Sequence, residues 1–194
     1  MLSIVCLARV QGIFLWREVM SERVLFDNND ISRMITRISH EILERNSDVS
    51  SLVLVGIKTR GEYLAKRIRA KIKEIEGVNV PLEVLNITFY RDDLVKKNNS
   101  PSVTAPNFKL NLTNRTVVIV DDVLYTGRTV RAAIDAIMDV SRPKAIRLAI
   151  FVDRGHRELP IRADYVGKNI PTSTKENIKV QLKEVDEDER IIII

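Results

Sequence analysis

Val117-Val118-Ile119-Val120-Asp121-Asp122-Val123-Leu124-Tyr125-Thr126-Gly127-Arg128-Thr129 is the stretch whose reading decides the fold. Four consecutive β-branched apolar residues, Val117 to Val120, read as a strand buried on both faces, the kind found in parallel sheets. Two carboxylates stand at its tip, and Thr-Gly-x-Thr then opens a helix with Val130, Ala133, Ile134 and Ile137 on one face. Backbone N–H groups at a helix start, the helix dipole and two hydroxyls together suit a phosphate dianion. Carboxylates a few residues upstream are placed to accept hydrogen bonds from adjacent hydroxyls such as a ribose 2′,3′-diol. The plainer reading, in which Asp121 and Asp122 end a strand and Thr126 caps a helix, leaves the ordered succession of elements without a reason.

Outward from this segment the chain alternates helix and strand. Ile31, Met34, Ile35, Ile38 and Ile42 share one face of a helix with Asp30 as its expected N-cap. Leu52 to Ile57 predicts a buried strand, and a second helix follows with Leu64, Ile68, Ile72 and Ile75 inward and Gly77 as its stop. Strands are also predicted at Val80 to Ile87, Ile146 to Val152, Tyr165-Val166 and Ile178 to Leu182. Tyr90 to Arg115 keeps no period, and a loop of that length is usually a lid or binding loop. The pattern is α/β: a mainly parallel sheet flanked by helices, with ligand loops beyond the carboxyl ends of its strands.

The chain has 194 residues, 45% hydrophobic and 29% charged, values that exclude wholesale disorder and fit one domain, expected at 20–188. Thirty-one Lys+Arg against 26 Asp+Glu give +5, which permits polyanionic partners without demanding them. Cys6 stands alone, which excludes an internal disulfide framework and suits a reducing, cytoplasmic compartment. Arg9, Gln11 and Arg17 interrupt the apolar stretches of the first residues, so no membrane helix is expected there. Residues 1–19 read as an atypical extension, with translation expected to begin at Met20. The four isoleucines after the acidic run read as a tail, 189–194, outside the domain.

The decisive segment resembles the phosphoribosyl-pyrophosphate (PRPP) loop of the type I phosphoribosyltransferases: a hydrophobic run, two acidic residues and Thr-Gly-x-Thr. Together with Val152-Asp153-Arg154-Gly155-His156-Arg157-Glu158-Leu159-Pro160-Ile161-Arg162-Ala163-Asp164-Tyr165-Val166-Gly167-Lys168-Asn169, it is similar to one branch of that family. The members of that branch join uracil phosphoribosyltransferase activity to control of pyrimidine-operon attenuation. The likeness runs from about Val24 to Asp188. It implies the type I fold, with a flexible loop and a small hood, and the reaction of uracil with PRPP to give UMP and pyrophosphate, with Mg²⁺ accompanying PRPP.

The resemblance also assigns residues. Lys58, Thr59, Arg60 and Gly61 match the pyrophosphate loop. An ATP-binding reading of the same stretch fails because Glu62-Tyr63 replaces Lys-Ser/Thr. Asp121, Asp122, Tyr125, Thr126, Gly127, Arg128 and Thr129 complete the PRPP site, and Asp121, Asp122 and Arg91 are the expected catalytic residues, Arg91 reaching the pyrophosphate from a closing flap. Arg154, Tyr165 and Val166 are implied to contact the base. No protein-only metal site is expected.

On the first helix, Arg33, Thr36, Arg37, His40 and Glu44 lie opposite the apolar stripe, a set that a solvated face explains by itself. Both histidines, however, lie among arginines. In the resembling branch Thr36, Arg37, His40 and Arg45 with His156, Arg157, Arg162 and Lys168 match a surface that binds pyrimidine-operon mRNA under control of UMP or UTP. A homo-oligomer of two or more copies and no membrane partner are implied as well. The competing readings are a purine-type phosphoribosyltransferase and a non-catalytic, nucleotide-sensing RNA regulator.

Overall fold

All six residues of Leu52–Ile57 are buried, and the sheet is built outward from this strand and its neighbour. The computed structural model describes residues 22–87 and 108–194, with the backbone of a short antiparallel pair, Arg9–Val10 and Ile13–Phe14. The elements are β1 (Arg23–Phe26), α1 (Asn28–Arg45), β2 (Leu52–Ile57), α2 (Arg60–Glu76), β3 (Leu82–Leu85), β4 (Thr116–Leu124), α3 (Arg128–Val140), β5 (Ala145–Asp153), β6 (Tyr165–Asn169), β7 (Ile178–Gln181), α4 (Lys183–Asp186) and β8 (Arg190–Ile193).

Five strands form one parallel sheet in the order β3-β2-β4-β5-β6. Its two faces divide the apolar residues by the two-residue period of a strand. Leu52, Leu54, Val118 and Val120 pack with α1 and α2 through Ile31, Ile38, Ile42, Leu64, Ile68 and Ile72. Val53, Val55, Val117 and Ile119 pack with α3 through Val130, Ala133, Ala136 and Ile137. Register then delivers Ile57, Asp121, Asp153 and Asn169 toward one end of the sheet.

Two details differ from the sequence expectation. The N-cap of α1 is Asp27, because Asp27 and Asp30 exchange side-chain-to-backbone bonds of 3.0 and 3.3 Å, a capping box that places Asp30 inside the helix. The isoleucine run is no tail. It is β8, the middle strand of a three-stranded antiparallel sheet ordered β1-β8-β7. Ile191 and Ile192 are both fully buried, and a central strand covered on both faces carries no polar alternation by which to recognise it.

Because Ile191 joins the core beneath α1 and α2, Ile191→Ala is expected to cost about 3 kcal/mol in urea denaturation. Exposed Val24→Ala should change stability by no more than about 0.5 kcal/mol.

Candidate functional site

Strand β4 carries its two carboxylates within the sheet rather than past its tip. Asp121 pairs with Ile150 of β5 and is 7% exposed. Its Oδ1 accepts a 3.0 Å bond from the Asp122 N–H, and Asp122 Oδ1 accepts one of 2.8 Å from the Val123 N–H. Burial pushes the Asp122 carboxyl above the usual carboxylate range; the Val123 N–H and the Arg60 charge oppose that shift and leave it standing.

These acids line a cleft of about 270 Å³ with Lys58, Thr59, Arg60 and Thr129. A second hollow, of about 380 Å³, follows residues 123–130 and shares Val123 and Thr129 with the first. The two spaces therefore adjoin, forming a trough with one part at the β2–α2 turn and the other at the start of α3. Gly127 sits at φ +95°, a left-handed conformation that glycine adopts without cost, and the helix starts at Arg128. Two carbonyls of the loop already have donors. Thr126 O accepts from the Glu158 and Leu159 N–H groups, and Leu124 O accepts from the Arg154 N–H. The Arg128 N–H reaches Thr126 Oγ1 at 3.4 Å, and the N–H groups that follow it have no intrahelical acceptor, so this helix start offers donors to an anion.

On the opposite wall, Thr59 precedes α2 without a side-chain cap, and the Lys58–Thr59 peptide is cis. Lys58 and Thr59 are exposed. Gly61 does not line the cleft. A Cβ there would stand 2.4 Å from Val120 O, so glycine is what lets the first turn of α2 rest against β4 beside the acids. Arg60 lines the cleft while its Nε and Nη2 bond Asp186 at 3.0 and 2.5 Å. Nothing in the sequence singled out Asp186, because its partner lies 126 residues away.

The base-side expectations fare differently. Tyr165 is fully buried, its hydroxyl accepting from Asn46 Nδ2 at 3.0 Å, its ring near the Arg45 guanidinium. It pairs with Ala149, below the level of Asp121, so its ring packs in the core and does not face the trough. The Val166 carbonyl accepts from Arg37 at 2.9 Å. Arg154 is 4% exposed and holds Thr172 Oγ1, Asn177 Oδ1 and the carbonyls of Ser173 and Glu176, with the Tyr125 ring 4.1 Å away. It stitches the β6–β7 loop to β5, with four of its hydrogen bonds made there. The residues at the carboxyl end of β6, level with Val152 and Asp153, are Lys168 and Asn169.

The remaining set divides. Thr36, Arg37, His40 and Arg45 share α1, with Arg37 bonded to the Val166 and Gly167 carbonyls, Arg45 to Asp164 O, and Lys168 over the Phe26 ring. Arg157 is built into the β4–α3 loop, donating to Leu124 O, Tyr125 O and Ile161 O and pairing with Asp153, while His156 Nε2 lies 2.6 Å from Thr172 O. Arg162 is exposed, and Arg128 pairs with Glu158 at 2.8 Å. Arg91 and the flap it belongs to lie outside the described residues. Among the described residues no group of three or more His, Cys, Asp or Glu could hold a metal, and no helix is long and apolar enough to cross a membrane.

A family model described as the phosphoribosyl transferase domain matches residues 23–186. A protein from Fusobacterium nucleatum called bifunctional protein PyrR is 58% identical over 172 residues, covering 89% of this chain and 97% of its own length. A Clostridioides difficile protein of the same name is 59% identical over 169 residues, covering 87% and 96%. Among solved structures, a hypoxanthine-guanine phosphoribosyltransferase from Bacillus anthracis aligns with a TM-score of 0.70 at 18% identity, over 89% of this chain and 98% of that one. The Trypanosoma cruzi hypoxanthine phosphoribosyltransferase in complex with IMP gives 0.66 at 18%, over 88% of each chain. Likeness at that identity carries the fold and says nothing of the base.

Two outcomes follow from this geometry. Tyr165→Phe should lower stability by about 1 kcal/mol, the worth of one buried hydrogen bond, while leaving the KM for any base within about two-fold. Because the folded-state pKa of Asp122 is raised, its carboxylate gains a proton on acidification earlier than an ordinary aspartate, near about pH 4, would. Affinity for a ribose-bearing ligand, measured by calorimetry, should fall as pH drops through that raised value.

Proposed function

We propose, from the premise that the chain belongs to the phosphoribosyltransferase family and to its PyrR branch, that it performs two linked tasks. It catalyses uracil plus PRPP giving UMP and pyrophosphate, and it controls pyrimidine-operon attenuation by uridine-nucleotide-dependent binding to mRNA. The observation that carries the enzymatic half is the cleft that brings Lys58, Thr59 and Arg60 together with the Asp121–Asp122 pair, adjoined by the hollow at the start of α3.

Positive charge develops on the anomeric carbon as pyrophosphate leaves, as in glycoside cleavage. Asp121 and Asp122 accept hydrogen bonds from the ribose diol and hold the sugar with its reacting carbon toward the base. Thr126, Gly127, Arg128 and Thr129 seat the 5′-phosphate on the helix start. Lys58 and Arg60, with the amides around Thr59 and Gly61, take up the growing charge of the leaving group, and Arg91 closes from the flap. Their work is positioning and electrostatics, with no covalent nucleophile required. Mg²⁺ accompanying PRPP would offset the charge of the leaving group, and the hard carboxylate oxygens of Asp121 and Asp122, which line the cleft, would suit that cation. The uracil edge is read at the carboxyl end of β6.

For the regulatory half, exposed His40 and Lys168 with Thr36, Arg37 and Arg45 offer a basic face beside the edge strand β6. Binding there depends on salt and favours unpaired loop bases. If UMP or UTP raises affinity for RNA, RNA raises affinity for the nucleotide by the same factor. The protein works in the cytoplasm as a homo-oligomer.

Labelled uracil, hypoxanthine and guanine should be offered in parallel with PRPP; only uracil should yield product. Asp121→Asn with Asp122→Asn should lower turnover at least about 10³-fold, while affinity for leader RNA without nucleotide stays within a few fold. Equal loss of both would contradict two separate surfaces, and product from a purine alone would replace the assignment of the base.

A further inference from the structure

Arg60 has a divided set of donors. Its Nε and Nη2 edge is taken by Asp186, at 3.0 Å to Oδ2 and 2.5 Å to Oδ1, while the residue lines the cleft beside Asp121 and Asp122. Among the described residues Nη1 has no hydrogen bond, although a guanidinium carries five N–H donors in a rigid fork. Asp186 is itself held. Its side chain is 9% exposed, its Oδ2 also accepts from the Leu182 N–H at 3.1 Å, and Lys179 Nζ stands 3.7 Å from Oδ1. Arg60 cannot rotate about its long stem without breaking a bidentate pair whose acceptor is fixed by α4.

We infer that Asp186 is the positioning residue of the pyrophosphate half of the site: by gripping one edge of Arg60 it turns the other edge into the cleft, toward the departing pyrophosphate. This rests on the phosphoribosyl-transfer reading given above and names how the hood, here α4 with the three-stranded sheet β1-β8-β7, takes part in it. A simple strap between hood and helix does not account for the pair. Arg67, two turns along the same helix, already straps α4 and the residue before β8 through Glu184, at 2.8 Å, and Glu189. The Asp186 carboxylate also stays below the usual range despite burial, which opposes its charge, because the Arg60 and Leu182 hydrogen bonds outweigh that cost.

The test uses the full chain with inorganic pyrophosphate and Mg²⁺ in calorimetry, and PRPP and uracil in steady-state assays. Asp186→Asn, nearly equal in shape, and Arg60→Lys, which keeps the charge and loses the fork, should each weaken pyrophosphate binding and raise the KM for PRPP about ten-fold. The KM for uracil should stay within about two-fold. Asp186→Glu should recover part of the loss. Glu184→Gln, which cuts the Arg67 strap alone, should leave pyrophosphate affinity within about two-fold. The double variant should be no worse than the weaker single one, since the two residues act as a unit. If Asp186→Asn melts at a lower temperature yet binds pyrophosphate as the parent does, the pair is a strap and the inference is wrong. If the parent protein binds neither pyrophosphate nor PRPP, the phosphoribosyl-transfer reading falls, and this one with it.

Discussion

Two adjacent carboxylates inside a strand buried on both faces are the constraint to which the surrounding structure answers. Removing charged groups from water is costly unless partners replace the lost solvation. Here the N–H groups of Asp122 and Val123 and the charge of Arg60 supply part of the compensation, and burial still wins at Asp122, whose proton is held more tightly than usual. Arg60 in turn requires an anion, which Asp186 provides from the hood. The small antiparallel sheet and the catalytic end of the large one are thus joined by the same charge balance that shapes the cleft.

Much of this was legible in the sequence because it is local. The strand Val117 to Val120, the helix after Gly127 and the stop at Gly77 each follow from a few neighbouring residues, and the structure has all of them. What escaped was either a choice between neighbouring residues of like chemistry or a matter of partners far along the chain. Asp27 displaced Asp30 as the cap of α1 through a reciprocal bond that either acid could have been assigned. β8 has no alternation to announce it, since both its faces are covered. The Tyr165 side chain follows from the register of β6 on β5, and no periodicity in five residues fixes that register.

Arginine shows the same limit from another side. Arg37, Arg45, Arg154 and Arg157 read alike as cations free for a ligand, yet each is bonded to backbone carbonyls at a distant turn or strand. Arg154 fastens the hood. Arg157 fastens the β4–α3 loop to the end of β5, so its charge sits beside the hollow at the start of α3. A basic surface in this molecule is therefore also part of its framework, and that is a physical basis on which occupancy of the trough and of the outer face can be linked.

A crystal soaked with a non-hydrolysable analogue of PRPP and Mg²⁺ tests the central claim most directly. The account predicts the ribose diol within hydrogen-bond distance of Asp121 and Asp122, the 5′-phosphate on the amides of residues 126–129, and the pyrophosphate beside Arg60. Density for the sugar anywhere outside that trough, or a sugar in it that turns its diol away from both acids, would contradict it.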